Sequence, residues 1–213
     1  MEYYTKPFNY NNTLELPCVT KEYLVSIGVE EAPVGYYNKP EKDIPIEFNP
    51  IEAILAQNYE CVVPVWRKDS EIGGYLLVRK GKDCMVIYSD GNRCANIMES
   101  FITIIPPINS YEFVVQRKDG KWGVVAPHKE KAVVEFGKYK YLWGFDSELC
   151  LFEVETNNKQ TFSNRGILNS AGAEVIRPYT YTNIYGFYGK GTSYVKVEKE
   201  DKVILIEKSD LPL

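Results

Sequence analysis

"VVEFGKYKYLWGF" (133–145) and "VIRPYTYTNIYGF" (175–187) are the two stretches whose alignment decides the fold. Val133, Val134, Tyr139, Leu142, Gly144 and Phe145 fall on Val175, Ile176, Tyr181, Ile184, Gly186 and Phe187 at one offset (175 − 133 = 42; 187 − 145 = 42). Just ahead, Gly123-Val124-Val125 maps onto Gly166-Ile167-Leu168 (166 − 123 = 43), and just behind, "LFEVE" (151–155) maps onto "YVKVE" (194–198), also at 43. A weaker copy lies upstream: "VIYSDG" (86–91) matches "ILNSAG" (167–172) at 167 − 86 = 81, close to two periods. A period of this length marks stacked supersecondary units, each burying an apolar face against its neighbours.

Within the period the pattern is strand-like. Runs such as "CVVPVW", "YLLV", "EFVV", "LCLFEV" and "KVILI" are rich in branched and aromatic residues and are separated by charged or glycine turns. Asp119-Gly120 and Asp90-Gly91 read as two-residue hairpin turns, which need positive φ at both positions. Three helices are expected. One runs over Tyr23 to Ile27, after Thr20 and stopped by Gly28. A second starts at Asn49, with Pro50 at its first position, Glu52 reaching back to the free amides, an apolar face of Ile51, Ile54 and Leu55, and Asn58 at its end. The third covers Asn96 to Ile104, capped by Asn96 and stopped by Pro106 and Pro107. The fold class expected is mainly β: a repeated β-hairpin meander forming an open twisted stack over 111–213, preceded by a small α+β region over 1–110. The units are too few to close a propeller, which needs about four blades. The front region and the C-terminal strand "KVILIEKSD" (202–210) should cover the two ends of the stack.

Read as a unit, Trp122-Gly123-Val124-Val125 heads one copy, and Gly166 to Ile176 supplies nearly the whole body of the next. This unit resembles the WG repeat of bacterial proteins, over roughly residues 75 to 206. There are departures: Arg165 stands at the second Trp position, Glu130 at a turn glycine, and Asp83-Cys84 at the first Trp-Gly. The resemblance implies a scaffold or interaction role. The front, with its short helix ending in "SIG", its proline-rich loop and "FNPIEAILAQNYECVVPVW", is similar to the SUKH superfamily, which includes toxin-immunity proteins. That similarity implies an alternative role, neutralising a bacterial toxin.

Composition narrows the partner. Net charge is −4 with signs interspersed, which is unlike the basic surface that phosphate neutralisation requires, so nucleic acid is not expected. No basic leader precedes an apolar stretch, and "FITIIPPI" (101–108) is far shorter than a bilayer span, so neither export nor a membrane is expected. Five cysteines, an odd number without a Cys-x-x-Cys, read as reduced and buried, which favours the cytoplasm. The sequence sets no oligomeric state.

No catalytic residue, cofactor or metal site is expected. His128 is the only histidine and sits in a turn-like "APHKEK". "GKGTS" (189–193) lacks the strand and glycine spacing of a phosphate loop, and Glu30-Glu31 falls in a loop. Trp122 has two readings: a packing knob, or part of an exposed strip with Trp143, Tyr185 and Tyr188. Recurrence of aromatic-Gly at the repeat period favours packing. Phe145 and Phe187 are expected in the core, with a protein or peptide partner meeting an outer ridge of Tyr139, Tyr181 and Tyr188.

Overall fold

Branched and aromatic side chains pack on a pleated surface with little loss of rotamer freedom, and here they form strands almost everywhere. The computed structural model describes residues 7–9, 54–65, 75–88, 91–108, 110–146, 148–156, 162–188 and 194–211. In chain order the strands are β1 (Phe8–Asn9), β2 (Cys61–Pro64), β3 (Tyr75–Lys80), β4 (Asp83–Tyr88) and β5 (Thr103–Ile105). Next come β6 (Phe113–Gln116), β7 (Trp122–Val125), β8 (Tyr141–Leu142), β9 (Leu149–Glu153) and β10 (Arg165–Asn169). The last are β11 (Glu174–Ile176), β12 (Asn183–Tyr188), β13 (Tyr194–Lys199) and β14 (Lys202–Glu207).

They make four antiparallel sheets, in the orders β2-β3-β4, β1-β5-β6-β7, β11-β10-β9-β8 and β12-β13-β14. The rule behind these orders is simple. Each unit closes with a hairpin (β5-β6, β8-β9, β12-β13), and the next strand in the chain (β7, β10, β14) pairs onto that hairpin.

The sheets stack in sequence order, with an apolar cluster between each consecutive pair. Phe8, Leu77, Val86, Ile104, Phe113 and Val115 fill the first gap. Val114, Trp122, Val124, Leu142, Cys150, Phe152 and Leu168 fill the second. Leu149, Leu151, Ile167, Ile184, Val195 and Val197 fill the third. Side chains alternate across a strand, so an inner sheet feeds both neighbours. Val114 faces one gap while Phe113 and Val115 face the other, and Cys150 and Phe152 oppose Leu149 and Leu151. Burial on both faces is why these strands read as continuous apolar runs instead of alternating ones.

The repeat is visible in the hydrogen bonding. The bridge Val124↔Val134 recurs as Ile167↔Ile176. Gly91 and Gly172, at φ +85° and +80°, occupy equivalent turns. In one, the Gly91 N–H donates to Tyr88 O at 3.0 Å and the Tyr88 N–H to Asn92 O at 2.9 Å. In the other, the Gly172 N–H donates to Asn169 O and the Asn169 N–H to Ala173 O, both at 2.9 Å.

The structure corrects several expectations. Residues 96–104 are not a helix: 96–100 form turns and bends, Phe101 bridges Cys84, and β5 begins at Thr103. The branched residues of "FITII" favour that strand, with Ile104 filling the gap between the first two sheets and Ile105 the next. At Asp119-Gly120 only Gly120 has positive φ (84°). Arg117 and Lys121 close the turn (Arg117 N–H to Lys121 O, 3.0 Å), and the Asp119 carboxylate accepts the Lys121 N–H at 3.1 Å, which stabilises a wider loop. The two-residue turn with both φ positive occurs at Glu200-Asp201 (51° and 61°), where no glycine announces it. Of the C-terminal strand expected to cover one end of the stack, Ile206 packs on the last cluster, while Lys202 to Leu205 and Glu207 of β14 are exposed.

Of the second expected helix, residues 54–56 are helical, and Asn58 ends the turn at φ 51°. The first expected helix, the proline-rich loop, residues 49–53 of the second helix, Cys18, Glu30, Glu31 and 189–193 lie outside the described residues. Strands from both sides of residue 110 share one sheet, so backbone pairing runs across the expected division there. No helix among the described residues is long and apolar enough to cross a membrane.

Candidate functional site: an aromatic groove

Trp122 is only 8% exposed, and its ring meets Tyr141 edge to face at 4.8 Å. Tyr141 meets Trp143 in the same way at 4.6 Å, and the Arg165 guanidinium lies 5.3 Å from the centroid of the Trp143 ring. A buried packing residue is thus linked by two rings to a partly exposed one. The Trp-Gly pair serves the core, and the surface chemistry begins at Trp143.

Two hairpins place the groove. In the first, the Trp143 N–H donates to Leu151 O at 2.9 Å, and the Cys150 thiol donates to Trp143 O, also at 2.9 Å. Gly144 lets this hairpin approach β5, since a Cβ there would stand 2.8 Å from the Ile105 Cγ2. In the second, the register of β12 against β13 shifts between Ile184 and Gly186, and Gly186 has φ +103°. A bulge of this kind re-aims a side chain, and Tyr185 stands 48% exposed. The Tyr185 hydroxyl donates to a Glu198 carboxylate oxygen, and Lys196 Nζ lies 5.0 Å from the ring centroid.

Between the hairpins runs a groove of about 480 Å³, lined by Tyr141, Trp143, Phe145, Tyr185 and Phe187 together with Pro7 and Pro106. Both aromatic-Gly-Phe triplets therefore line one cleft. Arg165, at the position equivalent to Trp122, contributes a planar cation. Its Nη1 donates to Ile184 O at 3.4 Å, and its Nε stands 3.9 Å from the Glu153 carboxylate. Lys208 lies near two of the lining residues, with Nζ 5.3 Å from the Phe187 ring centroid and 3.5 Å from Asp146 O. Partial burial lowers the pKa of this ammonium. The groove offers flat apolar faces and fixed donors, and it brings no nucleophile together with a base. Among the described residues no three His, Cys, Asp or Glu side chains are placed to hold a metal ion.

Of the three tyrosines expected on an outer ridge, Tyr139 belongs to the core instead. Tyr139 is 5% exposed, packs on Phe152 with centroids 4.2 Å apart, and donates its hydroxyl to the Glu174 carboxylate at 2.9 Å. The hydroxyl finds a partner at the rim, so the ring can enter the core. Tyr181 packs partly buried against the last gap, and the Tyr188 side chain lies outside the described residues. Phe145 is buried as expected, while Phe187 is half-buried and lines the groove. His128 is exposed in a turn, edge to face with Tyr111 at 5.8 Å. Sequence reasoning registered Arg165 only as a departure from the unit. The signal that could have found the site was the aromatic-Gly-Phe triplet recurring at the period of 42.

The fold and groove define a β-hairpin repeat protein with an aromatic cleft between its last two described units. No family model matches the chain, no curated protein matches it in sequence, and no solved structure matches its fold.

Proposed function

We propose that this chain is a non-catalytic binding module that holds an extended segment of another protein in the aromatic groove. One observation carries the reading: Trp143-Gly144-Phe145 and Tyr185-Gly186-Phe187, one period apart in sequence, converge on the same cleft. Aromatic faces supply contact area at low entropic cost, and Arg165 adds donors that fix a backbone carbonyl or carboxylate. The cleft volume falls in the range typical of ligand sites. The WG-repeat resemblance, with its scaffold or interaction role, supports the same reading. Net charge of −4 disfavours nucleic acid. Cys61, Cys84 and Cys150, buried and without a disulfide, accord with a reducing compartment such as the cytoplasm.

The test is panning a displayed library of random dodecapeptides against the protein, followed by fluorescence polarisation with the enriched peptides. Tyr185→Ala should weaken them at least tenfold with an unchanged thermal melt, because Tyr185 is exposed and carries no core packing. Enriched peptides that bind the variant as tightly as the parent, or a library that yields none, would sink the proposal.

A further inference from the structure

The stack ends on an unusual strand. Val203, Ile204 and Leu205 of β14 are 58%, 40% and 47% exposed, an apolar run showing on both faces of a sheet edge. The preceding first strands are covered on that side. Val134 bridges Val124 of β7, β11 pairs with β10, and Phe101 and Arg93 bridge Cys84 and Ile87 of β4. Among the described residues none pairs with the outer edge of β14. Edges of this kind are normally blunted by charge, proline or a covering loop, because they accept foreign strands.

The geometry of the edge states what it can accept. Lys199 and Lys202 flank the two-residue Glu200-Asp201 turn, so they form the closing hydrogen-bonded pair of the hairpin. Backbone groups alternate in direction along an antiparallel strand. Residues 202, 204 and 206 therefore bond to β13, and Val203, Leu205 and Glu207 direct their N–H and C=O groups outward. The run is bounded by Lys202 and Glu207, with four apolar residues between. An antiparallel strand that matches these charges places a basic residue opposite Glu207 and an acidic one opposite Lys202.

A second folded copy cannot do this through the same edge. Its outward groups are also at 203, 205 and 207, so outward residues must oppose outward residues. Lys202 is an inward residue and Glu207 an outward one, so no such register sets Lys202 opposite Glu207. A free extended segment has two usable edges and can take the charge-matched register.

We propose that the outer edge of β14 receives an extended segment of another protein as an added antiparallel strand, reading basic residue, four apolar or β-branched residues, acidic residue. Main-chain hydrogen bonds hold such a strand, and alternate side chains select it. The site is separate from the groove.

The test uses two fluorescein-labelled peptides, Gly-Ser-Lys-Val-Thr-Val-Thr-Glu-Gly-Ser and the same peptide with Lys and Glu exchanged, titrated with the intact chain. The first should bind at least tenfold more tightly. Leu205→Pro removes an outward N–H and spares the ladder to β13, so it should weaken binding at least tenfold while the melt is kept. If that variant loses its fold, Leu205→Lys replaces it, with the same expectation. Lys202→Glu combined with Glu207→Lys should reverse the preference between the peptides. Equal binding of the two peptides, no binding of either at millimolar concentration, or indifference to the variants overturns the proposal. So does self-association in sedimentation that Leu205→Pro abolishes and the peptide fails to inhibit, which would make the occupant a second copy.

Discussion

Gly166 and Gly123 hold equivalent places in two repeat units, yet replacing them with alanine should have unequal effects. At Gly166 an added Cβ would stand 2.4 Å from the Phe152 Cζ and 2.6 Å from the Ile176 carbonyl oxygen. Phe152 is fully buried, and the Ile176 carbonyl belongs to the β10–β11 ladder, so neither can retreat without breaking other contacts. At Gly123 the obstruction is the Phe136 ring alone, at 2.8 Å, and that ring is only partly buried. Overpacking a fixed site costs about 1–3 kcal/mol, occasionally more, while the stiffer unfolded chain returns roughly 0.4–1 kcal/mol. Gly166→Ala should therefore destabilise by about 2–3 kcal/mol and Gly123→Ala by about 1 kcal/mol or less. With a urea slope of about 2–3 kcal/mol/M for a chain of this size, the first shifts the midpoint by roughly 1 M and the second by a few tenths. Tryptophan fluorescence in urea measures both. A neutral Gly166→Ala, or a Gly123→Ala that costs more, would refute close packing as the reason for the repeat glycine.

Two further expectations concern the core. Trp122→Ala removes a ring packed in the second gap and should cost about 3 kcal/mol by the same melt; a loss below about 1 kcal/mol would return Trp122 to the surface. Burial raises the thiol pKa of Cys61 to about 11 and of Cys84 to about 12, and drives Cys150 up as well. Burial likewise lifts Tyr75 to about 12, and burial with the Glu174 hydrogen bond raises Tyr139. Each folded pKa lies above its unfolded value, so the stability is complete below about pH 8.5 and falls once the unfolded thiols ionise. Three thiols at about 1.4 kcal/mol per pH unit each remove roughly 4 kcal/mol per unit, and the tyrosines steepen the loss above about pH 10. Circular dichroism should show cooperative unfolding between about pH 10 and 11, and a flat signal to pH 11 would contradict the burial of these groups.

The repeat was legible because its determinants are local and periodic. Branched residues, turn glycines and the Tyr-x-x-Leu spacing recur at 42–43 residues, and the Val124↔Val134 and Ile167↔Ile176 pairs show that sequence equivalence is pairing equivalence. The helix expected at 96–104 was a conflict between local and tertiary signals. Asn96 and Glu99 suit a helix start, but Ile102, Ile104 and Ile105 are β-branched, and Phe8 and Gln116 are positioned to pair with the strand they form. Tyr139 could not be placed from spacing, because a tyrosine enters a core or stays outside according to whether its hydroxyl finds an acceptor. Glu174, 35 residues away, supplies that acceptor through the fold. The groove is longer-range still. Pro7 and Pro106 reach it only because β1 and β5 lie in the sheet beneath.

The places where this chain departs from its own repeat coincide with the places where its surface has something to offer. A regular unit puts tryptophan and glycine at the start of its first strand: Trp122 seals one gap, and Gly123 lets Phe136 cross the backbone. In the next unit the tryptophan position holds Arg165. Its side chain spans Glu153 and the Ile184 carbonyl, with the cleft open beside it. In the final strand no Trp-Gly pair stands at the start, the outer edge carries no covering strand among the described residues, and the apolar run is exposed. A stack of identical units would bury every apolar face and every inner edge, leaving a polar surface with little to recognise. Breaking the pattern once inside the stack makes a cleft, and breaking it at the last strand makes an edge. The same physics that forms the core, applied to an imperfect repeat, therefore produces a cleft and an open edge, the two places proposed above as binding surfaces.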